Sequence, residues 1–152
     1  MSHKIVITGG PSGGKTTLIE ALQKEMGAIV AVVPEAASIL YRGGFPRIKS
    51  QAGLFHAQHA IYQVQQELEE LIEAEHPKAK LIICDRGSLD SIAYWPKSEN
   101  HFFKTLKTTR RKELLRYRWV ICRRCTLPED AEHERYGDWN ESCEVHDAQR
   151  LT

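Results

Sequence analysis

The segment from Gly9 to Thr16 constrains the fold of this chain more than any other. It reads GGPSGGKT and fits the pattern G-x4-G-K-[ST]. The apolar run KIVIT precedes it, and apolar residues at helical spacing follow it as far as Gly27. Glycines allow a backbone to wrap an anion closely with its N–H groups directed inward, and a helix start adds positive dipole charge. The pattern therefore predicts a strand–loop–helix unit that binds a polyphosphate.

The residue types in this loop predict separate roles. Lys15 is expected to reach the β- and γ-phosphates, and the Thr16 hydroxyl is expected to ligate Mg²⁺. The alternative is a glycine-rich turn with a surface lysine, but the flanking strand and helix favour phosphate binding. The full predicted nucleotide-contacting set is Gly9, Gly10, Pro11, Ser12, Gly13, Gly14, Lys15, Thr16 and Thr17.

Short apolar runs alternate with amphipathic segments along the chain. Strands are predicted at 4–8, 28–33, 80–84 and 119–122, and helices at 17–26, 35–41, 51–75, 99–106 and 111–117. A further helix is predicted to start at Ser88 or Asp90 and to end before Pro96. In the long helix at 51–75, apolar residues form one stripe and glutamates are expected on the other faces. This alternation predicts an α/β fold with a mainly parallel central sheet. Together with the G-x4-G-K-[ST] loop, it leads us to expect the three-layer sandwich of a P-loop NTPase.

Two carboxylates follow predicted strands, where the ligands of open α/β sheets gather. Asp85 ends the strand KLIIC and is a candidate Mg²⁺ position; the alternative is that it starts a turn or caps a helix. Glu35 follows the second strand and could align or deprotonate an acceptor hydroxyl. The alternative for Glu35 is a favourable charge at a helix N-terminus.

Three arginines lie near these acids. Arg86 could contact the transferred phosphoryl group or the acceptor, and a surface ion pair is the alternative. Arg42 and Arg47 belong to a glycine-rich segment, where contacts with an acceptor are conceivable but solvated loop charges are expected. The catalytic set predicted from the residues is Lys15, Glu35, Asp85 and Arg86.

Length and charge exclude several classes of protein. A chain of 152 residues is expected to form one domain, and its apolar runs fall far short of the roughly 18 residues of a membrane span. The sequence MSHKIVITGG has no secretory leader pattern, so a cytoplasmic location is expected. The net charge of +1 argues against bulk binding of nucleic acid. Basic residues between 104 and 124 are expected to form a solvated face, with Arg123 and Arg124 as candidates for closing over a γ-phosphate.

The composition changes near residue 121. Basic residues outnumber acidic ones by 17 to 12 up to residue 120, and acidic residues outnumber basic ones by 8 to 4 after it. Residues 1–120 are therefore predicted to be the core, and 121–152 a divergent or truncated lid. Within this tail, Cys122, Cys125, Cys143 and His146 have a spacing that a four-ligand zinc site could use. Against zinc, Cys122 could simply end a buried strand, and turn glycines are missing apart from Gly137.

Together the segments GGPSGGKTT, VVPEAA and CDRGSLDSIAYWP resemble the AAA-type ATP-binding family that includes the ribosylnicotinamide kinase domain of the NAD regulator. The resemblance covers residues 4–120, and a eukaryotic GTP- and phosphoinositide-binding protein belongs to the same group. More distantly, the segments are similar to nucleoside and thymidylate kinases. That similarity implies that Glu35 lies near the acceptor hydroxyl and that Asp85 and Arg86 serve metal and phosphate. Asp90 matches the same motif, although a helix-capping role explains Asp90 equally well. Family members are longer than this chain, with an arginine-bearing lid.

The hypothesis drawn from residues and resemblance is a kinase that uses Mg²⁺ and ATP (or GTP) and phosphorylates a small nucleoside-like acceptor. A nucleotide-dependent switch with weak hydrolysis is the alternative, although no N-K-x-D guanine-reading element is present. A shortened homologue that binds nucleotide without turnover is a third hypothesis, motivated by the acidic tail.

Overall fold

Five strands form one sheet in the order β2-β3-β1-β4-β5. The computed structural model describes residues 2–10, 14–123 and 145–147. Strands β1 to β4 are parallel to one another, and β5 is antiparallel to β4. The bounds are β1 His3–Gly9, β2 Val30–Val33, β3 Leu81–Asp85, β4 Trp119–Arg123 and β5 Val145–Asp147. The predicted α/β fold with a mainly parallel sheet is confirmed.

The α-helices are α1 Lys15–Met26, α2 Ala36–Arg42, α3 Gln51–Glu75, α4 Glu99–Leu106 and α5 Arg110–Leu114. The predicted bounds of α3 and α4 are confirmed, and side chains of Ser50 and Ser98 cap their first turns. None of the helices in the described part of the chain is long and apolar enough to cross a bilayer.

The differences from the predicted elements lie at element ends and in short segments. Residues Gly27–Ile29 form a 3₁₀ turn, so β2 is shorter than predicted; Gly27 itself ends α1 with a φ of 57°. The segment Ser88–Tyr94 is a 3₁₀ helix, and α5 ends three residues early. Strand β5 was not predicted, because three residues within a polar segment carry no periodic signal.

The sheet is covered by helices on both faces, which gives the three layers. Along β1, Ile5 and Ile7 pack in one cluster with Ile19 of α1, whereas Val6 packs on the other side in a cluster that Leu68 of α3 joins. Alternate residues of a strand point to opposite faces, so this division follows from the run of apolar residues in β1.

The buried face of α3 differs from the predicted apolar stripe. The side chains of Gln58, Gln65 and Glu69 are buried, and Glu69 is fully buried, while the predicted core residue Leu71 is 54% exposed. The expectation that glutamates occupy only the outer faces of this helix is therefore wrong. Glu69 is tolerated inside because Tyr117, Gln65 and Arg116 donate hydrogen bonds to its carboxylate.

Candidate active site

The loop after β1 brings its lysine back over its own backbone. Gly9 has a φ of 132° and Gly14 a φ of 69°, conformations that favour glycine, and Lys15 begins α1 directly after Gly14. The Lys15 Nζ donates hydrogen bonds to the carbonyl oxygens of Gly9 at 3.2 Å and Gly10 at 2.8 Å. The ammonium thus lies beside the two carbonyl oxygens at the end of β1. Pro11, Ser12 and Gly13 lie outside the described residues.

The sheet places Asp85 beside this loop. Strands β1 and β3 are neighbours, and their register pairs Ile7 with Asp85, two residues before Gly9. The N–H of Arg86 continues the pairing by donating to the Ile7 carbonyl at 3.0 Å. The carboxyl ends of β1 and β3 therefore lie side by side. The glycine loop follows β1, and Asp85 ends β3.

A cavity of about 400 Å³ lies next to the loop, between α1 and the end of β2. Its lining includes Thr16 from the first turn of α1, Asp85 from β3, and Glu35 and Arg42 from the two ends of α2. Thr16 and Asp85 offer a hydroxyl and a carboxylate, the hard oxygen donors that Mg²⁺ prefers. The two residues predicted to hold the metal therefore do line the same cavity.

Arg86 connects three parts of the site. Its Nε donates to Glu35 Oε1 at 2.8 Å, and its Nη1 lies 3.4 Å from Asp90 Oδ1. Glu35 also accepts a hydrogen bond from the Ser38 hydroxyl at 2.6 Å. Asp90 accepts from the Gly87 N–H at 2.7 Å and from the Thr8 hydroxyl. Asp90 therefore both caps the 3₁₀ helix and contacts Arg86.

The charges around the cavity move the pKa values of its acids in opposite directions. Burial would raise the pKa of the Glu35 carboxyl, but the Ser38 hydrogen bond and the Arg86 charge together hold it below its usual value. Burial and the neighbouring Glu35 raise the pKa of Asp85 above its usual value. Burial and the charge of Arg86 lower the pKa of the Lys15 ammonium. The mutual influence of these groups indicates one electrostatic unit.

The other predicted residues are distributed as follows. Thr17 is exposed and lies outside the cavity lining. Arg42 is exposed, as expected for a solvated charge, and it also lines the cavity. Arg47 stacks on the Tyr41 ring, with 3.9 Å between its guanidinium carbon and the ring centroid. The difference from the prediction for Arg42 is that the residue belongs to the last turn of α2 rather than to a loop.

Sequence reasoning missed Ser38, Thr8 and Gln65. Ser38 lies three residues after Glu35, a spacing that brings a side chain back to the start of a helix, so that signal was present. Thr8 contacts Asp90 and Gln65 contacts the Arg86 carbonyl across 82 and 21 residues of sequence, and local patterns carry no information about such pairs.

The zinc hypothesis falls mostly outside the described residues. Cys122 lies half-buried in β4, while Cys125, Cys143 and the side chain of His146 belong to the parts that are not described. Within residues 2–10, 14–123 and 145–147, no cluster of three or more His, Cys, Asp or Glu side chains could hold a metal ion. The division of the chain at residue 120 likewise stays a prediction.

Comparison with known proteins agrees with this geometry. A family model described as the AAA domain matches residues 4–150. Among curated proteins, none matches the sequence. Since the matched region spans nearly the whole chain and includes the glycine loop, Glu35 and Asp85, the chain belongs to the AAA domain family of nucleotide-binding P-loop proteins.

Proposed function

We propose that the protein is a Mg²⁺-dependent kinase that transfers the γ-phosphoryl group of ATP, or of GTP, to a hydroxyl of a small nucleoside-like acceptor. The observation that carries this proposal is the composition of the cavity wall. Residues proposed to serve the triphosphate, Thr16 and Asp85, share the cavity with Glu35 and Arg42, which lie at the two ends of a different helix. A site for hydrolysis alone has no need of a second set of polar groups there.

The acceptor would occupy the cavity with its hydroxyl directed at Glu35. An ionised Glu35 accepts a hydrogen bond from that hydroxyl and orients its oxygen towards the γ-phosphorus. The new O–P bond then forms as the bond between the γ-phosphorus and the bridging oxygen breaks. The lowered pKa of Glu35 makes it a weak base, which fits a transition state in which the hydroxyl proton leaves late.

The cationic groups of the site would have separate roles in stabilising the phosphate charges. Lys15 would offset the charge of the β- and γ-phosphates, and Arg86 would stabilise the charge that develops on the transferred group while it holds Glu35 in place. Thr16 and Asp85 would hold Mg²⁺, which supplies charge neutralisation on the phosphate oxygens when bound. Catalysis would therefore consist of positioning and electrostatic stabilisation.

The cavity has room for a small acceptor. A volume of about 400 Å³ suits a molecule of the size of a nucleoside and lies within the range of small-molecule sites. Its wall combines apolar groups, Val32, Pro34 and Ile39, with the polar groups Ser38 and Gln23. This mixture fits a ligand with both an apolar part and hydroxyl groups.

Transfer of labelled phosphate tests the proposal. The protein is incubated with Mg²⁺ and γ-labelled ATP or GTP and a panel of nucleosides, with Lys15→Ala as the matched control. Label on any small-molecule hydroxyl, lost in the control, is the expected result. Label released only as inorganic phosphate would instead identify the nucleotide-dependent switch, and nucleotide binding without release of label would identify a binder that does not turn over.

A further inference from the structure

The buried carboxylate of Glu69 lies on the side of the sheet opposite to α1 and is not part of the cavity wall. Its side chain is fully buried. Oε1 accepts hydrogen bonds from the Tyr117 hydroxyl at 2.7 Å and from Gln65 Nε2 at 2.9 Å, and Oε2 accepts from Arg116 Nη2 at 2.8 Å. Lys4 Nζ lies 3.7 Å from Oε2. A carboxylate with this many partners is held in a single position.

Two of these partners also reach the turn that follows β3. Gln65 Nε2 donates to the carbonyl oxygen of Arg86 at 3.1 Å, and the Tyr117 hydroxyl accepts from the N–H of Ser88 at 3.0 Å. The peptide groups on both sides of Gly87 are therefore tied to one carboxylate through one side chain each. Gly87 itself lies so close to Val6 that a Cβ would approach Val6 Cγ2 to 2.8 Å.

The conformation held in this way is an unusual one. Arg86 has a φ of 71°, in the left-handed region that non-glycine residues rarely adopt. This backbone conformation directs the guanidinium to Glu35 and Asp90, with the Nε–Oε1 distance at 2.8 Å. An extended conformation at residue 86 would rotate its side chain and its carbonyl oxygen away from these partners, and the Gln65 hydrogen bond opposes that rotation.

We infer that Gln65 and Tyr117 are positioning residues, which transmit the fixed position of the buried Glu69 carboxylate to the Arg86–Ser88 turn and so hold the Arg86 guanidinium against Glu35. The consequence for turnover rests on the proposed kinase function. The consequence for the Arg86–Glu35 ion pair does not, because that pair is present without any substrate.

Gln65→Met tests the inference with little change of volume, since methionine keeps the length of the side chain but donates no hydrogen bond. Gln66→Met is the matched control: Gln66 is the next residue of α3 and also donates to a buried carboxylate, Glu113, at 3.3 Å, and among the described residues no hydrogen bond joins its side chain to the turn. The primary measurement is the titration of the Glu35 carboxyl by NMR, in protein free of nucleotide.

In Gln65→Met we expect the Glu35 pKa to move up, because the Arg86 guanidinium is no longer held beside it. In Gln66→Met the titration should match that of the unmodified protein. In transfer assays Gln65→Met should lower kcat by roughly 10- to 100-fold, the cost of a small misplacement, and leave the affinity for the nucleotide within about twofold.

An unchanged Glu35 titration in folded Gln65→Met would overturn the inference. If Gln65→Met does not fold, Tyr117→Phe, which removes the hydroxyl bound to Ser88, is titrated in the same way and its result decides. A shifted Glu35 titration in a protein that transfers no phosphate, even unmodified, would uphold the positioning role and refute the proposed kinase. The positioning role and the proposed kinase function can therefore be refuted independently.

Discussion

The Arg86 guanidinium lies 2.8 Å from the Glu35 carboxylate and thereby joins the residue that follows β3 to the residue that precedes α2. Both side chains are largely shielded from water, with exposed fractions of 17% and 28%. A surface ion pair contributes little because water screens it, and this pair is not of that kind. The two side chains are therefore coupled, and replacing either one should change the environment of the other.

Replacing Lys15 tests the phosphate-binding role of the loop. In Lys15→Ala the charge that faces the phosphates is lost, and with it charge-assisted hydrogen bonds worth about 1.5–3 kcal/mol each. Calorimetric titration with Mg²⁺–ATP should show an affinity at least about 100-fold weaker. Lys24→Ala, in the exposed last turn of the same helix, should bind as the unmodified protein does. Equal affinities of the two variants would contradict the assignment.

Glu35→Gln separates nucleotide binding from transfer. The amide keeps the shape of the side chain but cannot accept a proton, so phosphoryl transfer should fall by roughly 100-fold or more. Affinity for Mg²⁺–nucleotide should stay within about twofold, since Glu35 is proposed to face the acceptor. Single-turnover transfer and calorimetry measure the two quantities. Unchanged turnover would refute the role given to Glu35.

The lowered pKa of Glu35 also predicts the acid side of the rate profile. Because the folded protein holds this carboxylate ionised, the rate should persist at pH values where an ordinary glutamate becomes protonated, and should fall only as the pH passes through the lowered pKa. The measurement is kcat against pH below 6 at saturating Mg²⁺ and nucleotide, so that Asp85, the proposed metal ligand, stays ionised. A profile that falls at a pH above the usual glutamate pKa would contradict this cause.

The raised pKa of Asp85 predicts that its ionised carboxylate destabilises the folded protein at neutral pH. Its pKa is raised, so the folded state binds the proton more tightly than the unfolded state, and the ionised form at neutral pH costs stability. Asp85→Asn should therefore stabilise the nucleotide-free protein, by roughly 0.5–2 kcal/mol in denaturant unfolding. The same change should remove the Mg²⁺ dependence of nucleotide binding. A less stable variant with intact Mg²⁺ dependence would overturn the metal role.

Replacing Arg42 tests whether this residue contacts the acceptor, and replacing Arg47 is the control. Arg42 lines the cavity, whereas the guanidinium of Arg47 rests on the Tyr41 ring. Arg42→Ala should raise the KM for the acceptor by about tenfold, the value of one hydrogen bond to a charged group, and leave nucleotide affinity unchanged. Arg47→Ala should leave both quantities unchanged. Steady-state kinetics with the acceptor found in the transfer panel provides the comparison.

The sequence predicted the fold well because the parallel strands are buried on both faces and appear as continuous apolar runs. It also predicted that Lys15, Asp85 and Glu35 lie near one another. Lys15 begins the helix after β1, Asp85 ends β3 and Glu35 follows β2, so all three lie at the carboxyl ends of parallel strands. It could not predict the partners of Arg86, because Glu35 is 51 residues away and the choice depends on a left-handed backbone at one residue. The buried polar face of α3 was missed for a related reason: Glu69 is compensated by Tyr117, 48 residues along the chain.

Tyr62 offers a test of this buried polar layer away from the site. Its hydroxyl donates to Glu113 at 2.7 Å inside the protein, where Thr108 also donates to the same carboxylate oxygen. Tyr62→Phe leaves the ring packed on Phe102 and removes one donor, so the buried carboxylate is less well satisfied. The free energy of unfolding should fall by about 1–3 kcal/mol. Tyr41→Phe, at a half-buried ring, should change it by less than about 0.5 kcal/mol. Equal unfolding midpoints for the two variants would show that the Glu113 carboxylate does not depend on the Tyr62 hydroxyl.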